Sequence, residues 1–223
     1  MKNKTRMIIA ISMTVLLPLL MAYSLIGEAF HEVVGTAIFL LFIVHHILNR
    51  KWYGALFKGR YNTRRIFQTV LDLVLLVFMI LQPVSGILMS KHLYTFLPAL
   101  PVSAWARSVH MLLAYWGYIL LSIHAGTHLI APLRKLHGKN RKIFVTICAI
   151  MSCISAYGCA AFIKRGFPGY MSGRTMFAFL DYSEPRGYFF LDYLAIMILF
   201  MMAGYLVTYG LGRIDTNRKA EKR

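Results

Sequence analysis

Six apolar runs of about 20 residues follow one another along this chain, and that pattern excludes most soluble folds. They fall near 7–27, 30–49, 66–90, 104–131, 143–163 and 188–211. A helix of that length crosses the hydrocarbon core of a bilayer. In lipid the backbone must satisfy its own hydrogen bonds, so a span is either a helix or a strand of a closed barrel. These runs carry at most one Asp, Glu, Lys or Arg each over long uncharged stretches and lack the two-residue alternation of barrel strands. With 58% of its 223 residues hydrophobic, the chain is also more apolar than a soluble core requires. The expectation is an all-α, polytopic bundle of about six transmembrane helices, forming one membrane-embedded domain over residues 1–223. The first run follows MKNKTR and resembles a signal peptide in outline. Its length, and the lack of a small-residue cleavage site after it, favour a span.

The net charge of +17 would suggest nucleic acid in a soluble protein, but its distribution points elsewhere. With the N-terminus inside, nineteen of the 25 Lys and Arg residues fall on inner segments: the N-tail, RKWYGALFKGRYNTRR, LRKLHGKNRK and the C-tail. The outer segments hold only Lys91, Arg107, Lys164, Arg165, Arg174 and Arg186. That asymmetry predicts that both termini are cytoplasmic. Basic inner loops beside anionic lipid account for the charge, so membrane lipid is the expected partner and nucleic acid is not.

The histidines are the unusual residues. Ionisable or metal-binding side chains within a span are costly and rare, so each calls for a function. Six of the eight lie on two spans: His31, His45 and His46 on the second, His110, His124 and His128 on the fourth. His31 to His45 is fourteen residues, and so is His110 to His124. Fourteen residues are about 3.9 helical turns, which returns both members of a pair to one face roughly 21 Å apart. Both spans run from outside to inside, so the depths match. Two helices facing each other this way can clamp two flat macrocycles, one above the other, each iron taking one imidazole from each helix. The expectation is two haem b groups between the second and fourth spans, an outer one on His31 and His110 and an inner one on His45 and His124. No C-x-x-C-H motif is present for covalent attachment. His46 lies about 60° off the direction set by His31, and His128 returns to the His110 face about 27 Å down. Both stand as alternative inner ligands. The competing reading of any intramembrane histidine is a hydrogen-bonded packing residue or a proton relay.

Other residues fit around this frame. Gly117, midway between His110 and His124, and Gly35, one turn after His31, would let porphyrin edges approach, although close helix packing explains such glycines equally well. Arg107 is placed to meet outer haem propionates, and Arg134 and Lys135 inner ones, or else all three anchor to lipid phosphate. Asp72 and Asp192 sit within spans as proton relays to a quinone or as ion-pair partners of an arginine such as Arg64 or Arg186, with pairing favoured. Gln82-Pro83 predicts a kink in the third span. Cys148, Cys153 and Cys159 on the fifth span read as small packing residues, and the thirteen Met residues as core filler. The outer stretch KRGFPGYMSGRTMFAFLDYSEPRG is either a docking place for a redox partner or an amphipathic connector, with MFAFL apolar enough to lie on the membrane surface.

The H-x13-H pairs look like the cytochrome b arrangement of quinol-oxidising complexes and of ferric-reductase-like membrane domains. More specifically, HEVVGTAIFLLFIVHHILNRKWYGALFKGRYN resembles the bacterial flavinylation-associated cytochrome family, as do ARSVHMLLAYWGYILLSIHAGTH and FLDYLAIM. The family's histidine pattern matches at His31, His45, His110, His124 and His128. The resemblance implies a haem-bearing subunit of the bacterial cytoplasmic membrane, working with extracytoplasmic proteins that carry covalently attached FMN. The expected function is electron transfer between a quinone or cytoplasmic donor and such a flavoprotein. A stand-alone ferric or quinone reductase is the alternative, but the chain has no dinucleotide-binding glycine motif. A metal transporter using the histidines is the second, and would be expected to line the same path with carboxylates.

Overall fold

The computed structural model describes residues 2–96, 104–178, 181 and 183–220. Among the described residues ten helices follow in order: α1 (Lys2–Met21), α2 (Tyr23–Ile26), α3 (Glu28–Leu48), α4 (Lys51–Ala55) and α5 (Thr63–Leu88), then α6 (Ala104–Thr127), α7 (Ile130–Lys139), α8 (Arg141–Lys164), α9 (Phe167–Met171) and α10 (Arg186–Ala220). The described residues contain no strand. Six of the helices, α1, α3, α5, α6, α8 and α10, are long and apolar enough to cross a membrane. The chain is an all-α polytopic bundle. Much of its exposed surface is apolar, with Ile8, Val15, Leu40, Ile80 and Ile163 all about half exposed or more, as suits contact with lipid.

Local chemistry sets the helix ends. Asn62 accepts a hydrogen bond from the Arg65 amide and Asn140 one from the Ile143 amide, capping α5 and α8. The first span ends earlier than the run 7–27 suggests. It stops at Met21, makes the single turn α2, and restarts after Gly27, whose φ of +83° is open to glycine. The fourth span also ends early, at Thr127 instead of residue 131. Pro132 lies in the first turn of α7, where its ring would clash with the carbonyl of His128 in a continuous helix. The chain therefore tightens into bonds from the His128 amide to Ala125 and from the Leu129 amide to Gly126. In contrast, Pro83 lies within an unbroken α5, and the last span runs on to Ala220.

Helix α10 packs along α8 and α6, α5 lies along α6, and α1 lies along α3. Close approach is bought by glycine at three places. A side chain at Gly126 would strike the Met201 backbone, one at Gly204 the Ile123 backbone, and one at Gly158 the Ala195 carbonyl. By contrast Cys153 and Cys159 lie exposed on the outside of α8, so Gly158 and the buried Ala161, not these cysteines, do the packing there. The tightest core is aromatic. Tyr115, Tyr118, Phe167, Tyr170, Phe189 and Tyr193 bury one another, with Tyr115 stacked on Tyr170 at 4.0 Å. Helix α9 is thus a plug of the core and not a plain connector, although the end of the MFAFL stretch lies outside the described residues.

Asp192 is fully buried and accepts from Arg165 Nε at 2.7 Å, Lys164 Nζ at 3.0 Å and the Tyr157 hydroxyl. Glu184 accepts from the same two cations at 2.6 Å. The pairing expected of Asp192 is present, but with Arg165 and Lys164 in place of Arg186. At the opposite end of the bundle, the Thr63 and Arg64 amides donate to the Asp215 carboxylate at 3.0 and 3.1 Å, and Arg6 donates to the Leu48 carbonyl at 2.6 Å. The start of α1 and the end of α10 therefore lie on one side, with the end of α3 and the start of α5.

Candidate functional site

The two histidine-bearing spans, α3 and α6, make at most marginal backbone contact with each other. Each is held instead by its neighbours: α1 and α5 pack against both. Between two helices propped apart in this way, only side chains or a bound group can fill the space.

The start of α3 is fixed by the segment that follows α5. Glu32 accepts from Ser90 Oγ at 2.7 Å and from the amides of Lys91 and Leu93 at 2.9 and 2.7 Å. Thr36 and Tyr94 share a hydrogen bond of 2.9 Å, and Lys91 pairs with Glu28 at 3.1 Å. These contacts set the height of His31. Its ring lies 6.2 Å from that of His110, centroid to centroid, with the planes at 68°. Two imidazoles on one metal at about 2 Å each place their centroids roughly 6 Å apart. Tyr23 packs edge-on to His31 at 5.3 Å, and its hydroxyl donates to Glu28 at 2.7 Å. Burial first, then that hydrogen bond, push the Tyr23 phenol up to about 12, so it stays a neutral donor.

His110 is oriented by α5. Its Nδ1 lies 3.0 Å from Ser85 Oγ, and its Nε2 lies 3.3 Å from Gln82 Nε2. A Cβ on Gly86 would come within 3.3 Å of the same ring, so the glycine makes room for it. Among the described residues, three buried side-chain atoms of these histidine layers have no hydrogen-bond partner: Nδ1 of His31, Nδ1 of His45 and Oε1 of Gln82. The Leu20 carbonyl lies close to His31, without a well-formed bond to its Nδ1. Buried polar atoms normally find partners, so such orphans fit rings that complete their bonding on a non-protein group.

At the other end, the His45 ring lies 5.6 Å from that of His46, and His124, His128 and Asp72 bear on His45 electrostatically. Nδ1 of His124 lies 2.8 Å from Asp72 Oδ1. The partner of Asp72 is thus a histidine, not Arg64, whose amide serves Asp215. His46 turns away: Nδ1 is 2.6 Å from the Tyr53 hydroxyl, and its ring packs on Phe42 at 4.3 Å. His128 lies in the turn beyond α6, edge-on to His124 at 4.9 Å. It borders a cavity of about 260 Å³ together with Trp52, Arg65, Gln68, Asp72 and Thr127. Among the described residues no group of three or more His, Cys, Asp or Glu converges on a point.

The remaining candidates fall as follows. A Cβ at Gly117 would meet open space, whereas one at Gly35 would touch Leu20 of α1 at an ordinary 3.8 Å. The Arg107 guanidinium lies 5.2 Å over the ring of Phe177, tying the loop after α9 to the start of α6. The α5 residues Asp72, Gln82, Ser85 and Gly86 escape sequence reasoning as partners of the histidines. Their only advance signal is polarity or a missing side chain within an otherwise apolar span.

These features define a class: a polytopic helical membrane protein with histidines towards both ends of two helices held apart, His31 and His110 facing each other at one of them. No protein-family model, curated protein or solved structure matches the chain.

Proposed function

We propose that this chain is a di-haem b-type transmembrane electron-transfer subunit, with His31 and His110 holding one haem b and His45 and His124 the other. One observation carries the reading: α3 and α6 barely touch, yet they bring the His31 and His110 rings to 6.2 Å, the separation of two imidazoles on one metal. When bound, such six-coordinate groups supply one-electron carriers with no open position for oxygen. The protein's own residues orient the imidazoles through Ser85 and Asp72 and keep the ligand layers within an apolar bundle.

The resemblance to the bacterial flavinylation-associated cytochromes supports a place in a bacterial cytoplasmic membrane, both termini inside, with an FMN-bearing flavoprotein as the outer partner. The cavity bounded by Trp52, Asp72 and His128 supports a quinone as the inner donor, because an aromatic wall and polar groups there adjoin His124. A metal-transport path would need several ligands at a point, which favours the two-ligand reading.

The test is a reduced-minus-oxidised absorption spectrum of the protein purified in detergent. A b-type band that is lost in the His31→Ala/His45→Ala double variant supports the assignment. Absence of any haem band in the parent protein overturns it.

A further inference from the structure

The two histidines of α6 are held by unlike partners on the same neighbouring helix. Ser85 donates its single hydroxyl proton to the Gln82 carbonyl at 2.8 Å, so towards Nδ1 of His110, at 3.0 Å, it acts as acceptor. The Asp72 carboxylate accepts from Nδ1 of His124 at 2.8 Å. In both rings Nε2 then carries the lone pair that a metal takes, although on His110 it faces the Gln82 side-chain amide at 3.3 Å, a long contact that a metal would displace. The tautomer is the same at the two ends, and the charge behind it differs.

Resting on the di-haem reading above, we propose that Asp72 is a positioning residue that makes the His45–His124 centre the lower in reduction potential, leaving the Ser85-backed His31–His110 centre the higher. A carboxylate that takes up the Nδ1 proton leaves more electron density on the ring, which makes it a stronger donor and favours the ferric state. The negative charge acts in the same direction, whereas the Ser85 hydroxyl contributes only a dipole. Nearby cations oppose this, but from worse positions. The Arg65 guanidinium serves the Arg60 and Ala55 carbonyls and lies 4.1 Å over the Tyr61 ring. Arg65 is half-exposed, but its charge is engaged by those carbonyls and that ring, while Asp72 acts on His124 at hydrogen-bond distance within a span. One electron passing from the Asp72 end to the Ser85 end then moves downhill. One centre is oxidised as the other is reduced, with no bond made or broken.

The experiment is a potentiometric titration of the purified full chain, read from its absorption spectrum. His31→Ala and His45→Ala identify which wave belongs to which centre. The lower wave is expected to disappear with His45→Ala. Asp72→Asn should raise that wave by at least tenfold in the reduction equilibrium, or 59 mV for one electron, and leave the upper wave in place. Asp72→Glu, which keeps the charge, should keep the wave low, and Ser85→Ala should not move it. A lower wave that belongs to His31, or one that Asp72→Asn leaves unmoved, overturns the proposal while the di-haem reading stands. If Asp72→Asn loses the haem altogether, the order of the two waves in the parent decides. A chain that binds no haem overturns both.

Discussion

Replacing the histidines one at a time and in pairs exposes the logic of the site, because ligands of one centre must fail together. His31 and His110 face each other at 6.2 Å across helices with scarcely any other contact, so neither ring has a substitute within its layer. His31→Ala and His110→Ala should each lower the load from two haems to about one per chain, since a ring left alone holds the group poorly. Because both act on one centre, the His31→Ala/His110→Ala double variant should also retain about one, a fully non-additive pair. His31→Ala combined with His124→Ala removes one ligand from each layer and should leave about none. The assay is haem content per chain by extraction and absorbance, with circular dichroism to confirm that the helices persist. The pairing is refuted if the His31→Ala/His110→Ala double variant loses both haems while each single variant loses one. If His128→Ala removes a haem that His124→Ala spares, the inner ligand is His128 and the pairing by depth is kept.

Three further expectations follow from the packing. Asp192→Ala should destabilise the bundle by about 1.5–3 kcal/mol, because Arg165 and Lys164 lose their buried acceptor and keep only Glu184; a thermal-shift midpoint in detergent equal to that of the parent would contradict this. Gly204→Leu should disrupt the α6–α10 contact, since even a Cβ there runs into the Ile123 backbone; an unchanged midpoint and unchanged haem content would show that the helices part at little cost. A reporter fused after residue 220 should be active in the cytoplasm, on the side to which the charge asymmetry assigns both termini, and activity confined to the outer compartment would invert the bundle.

The spans were legible because lipid leaves the backbone few options, and the runs near 30–49 and 66–90 match α3 and α5 to within a few residues. The meeting of His31 with His110 was legible, because a spacing of fourteen encodes one face of a helix irrespective of what lies opposite. What lies opposite is not encoded locally. Asp72 reaches His124 across 52 residues, and Ser85 reaches His110 across 25, through the register of α5 against α6. The clasp of Glu32 around residues 90–93 likewise depends on a loop folding back, not on any periodicity. Gly35 and Gly117 stand out in the sequence by their distance from histidines, while the close helix approach at Gly126 and Gly204 shows only when α10 is in place. The end of α6 was readable in retrospect from Pro132, whose effect falls four residues upstream, on His128.

The central claim is that the two layers each hold a haem b, and its most direct test is a pyridine haemochrome assay on the purified, haem-replete full chain, set against protein concentration by amino-acid analysis. The account predicts the b-type spectrum at about two haems per chain, released by acid–organic extraction because no thioether bond is formed. A chain that carries no haem, or haem that resists extraction, would contradict it.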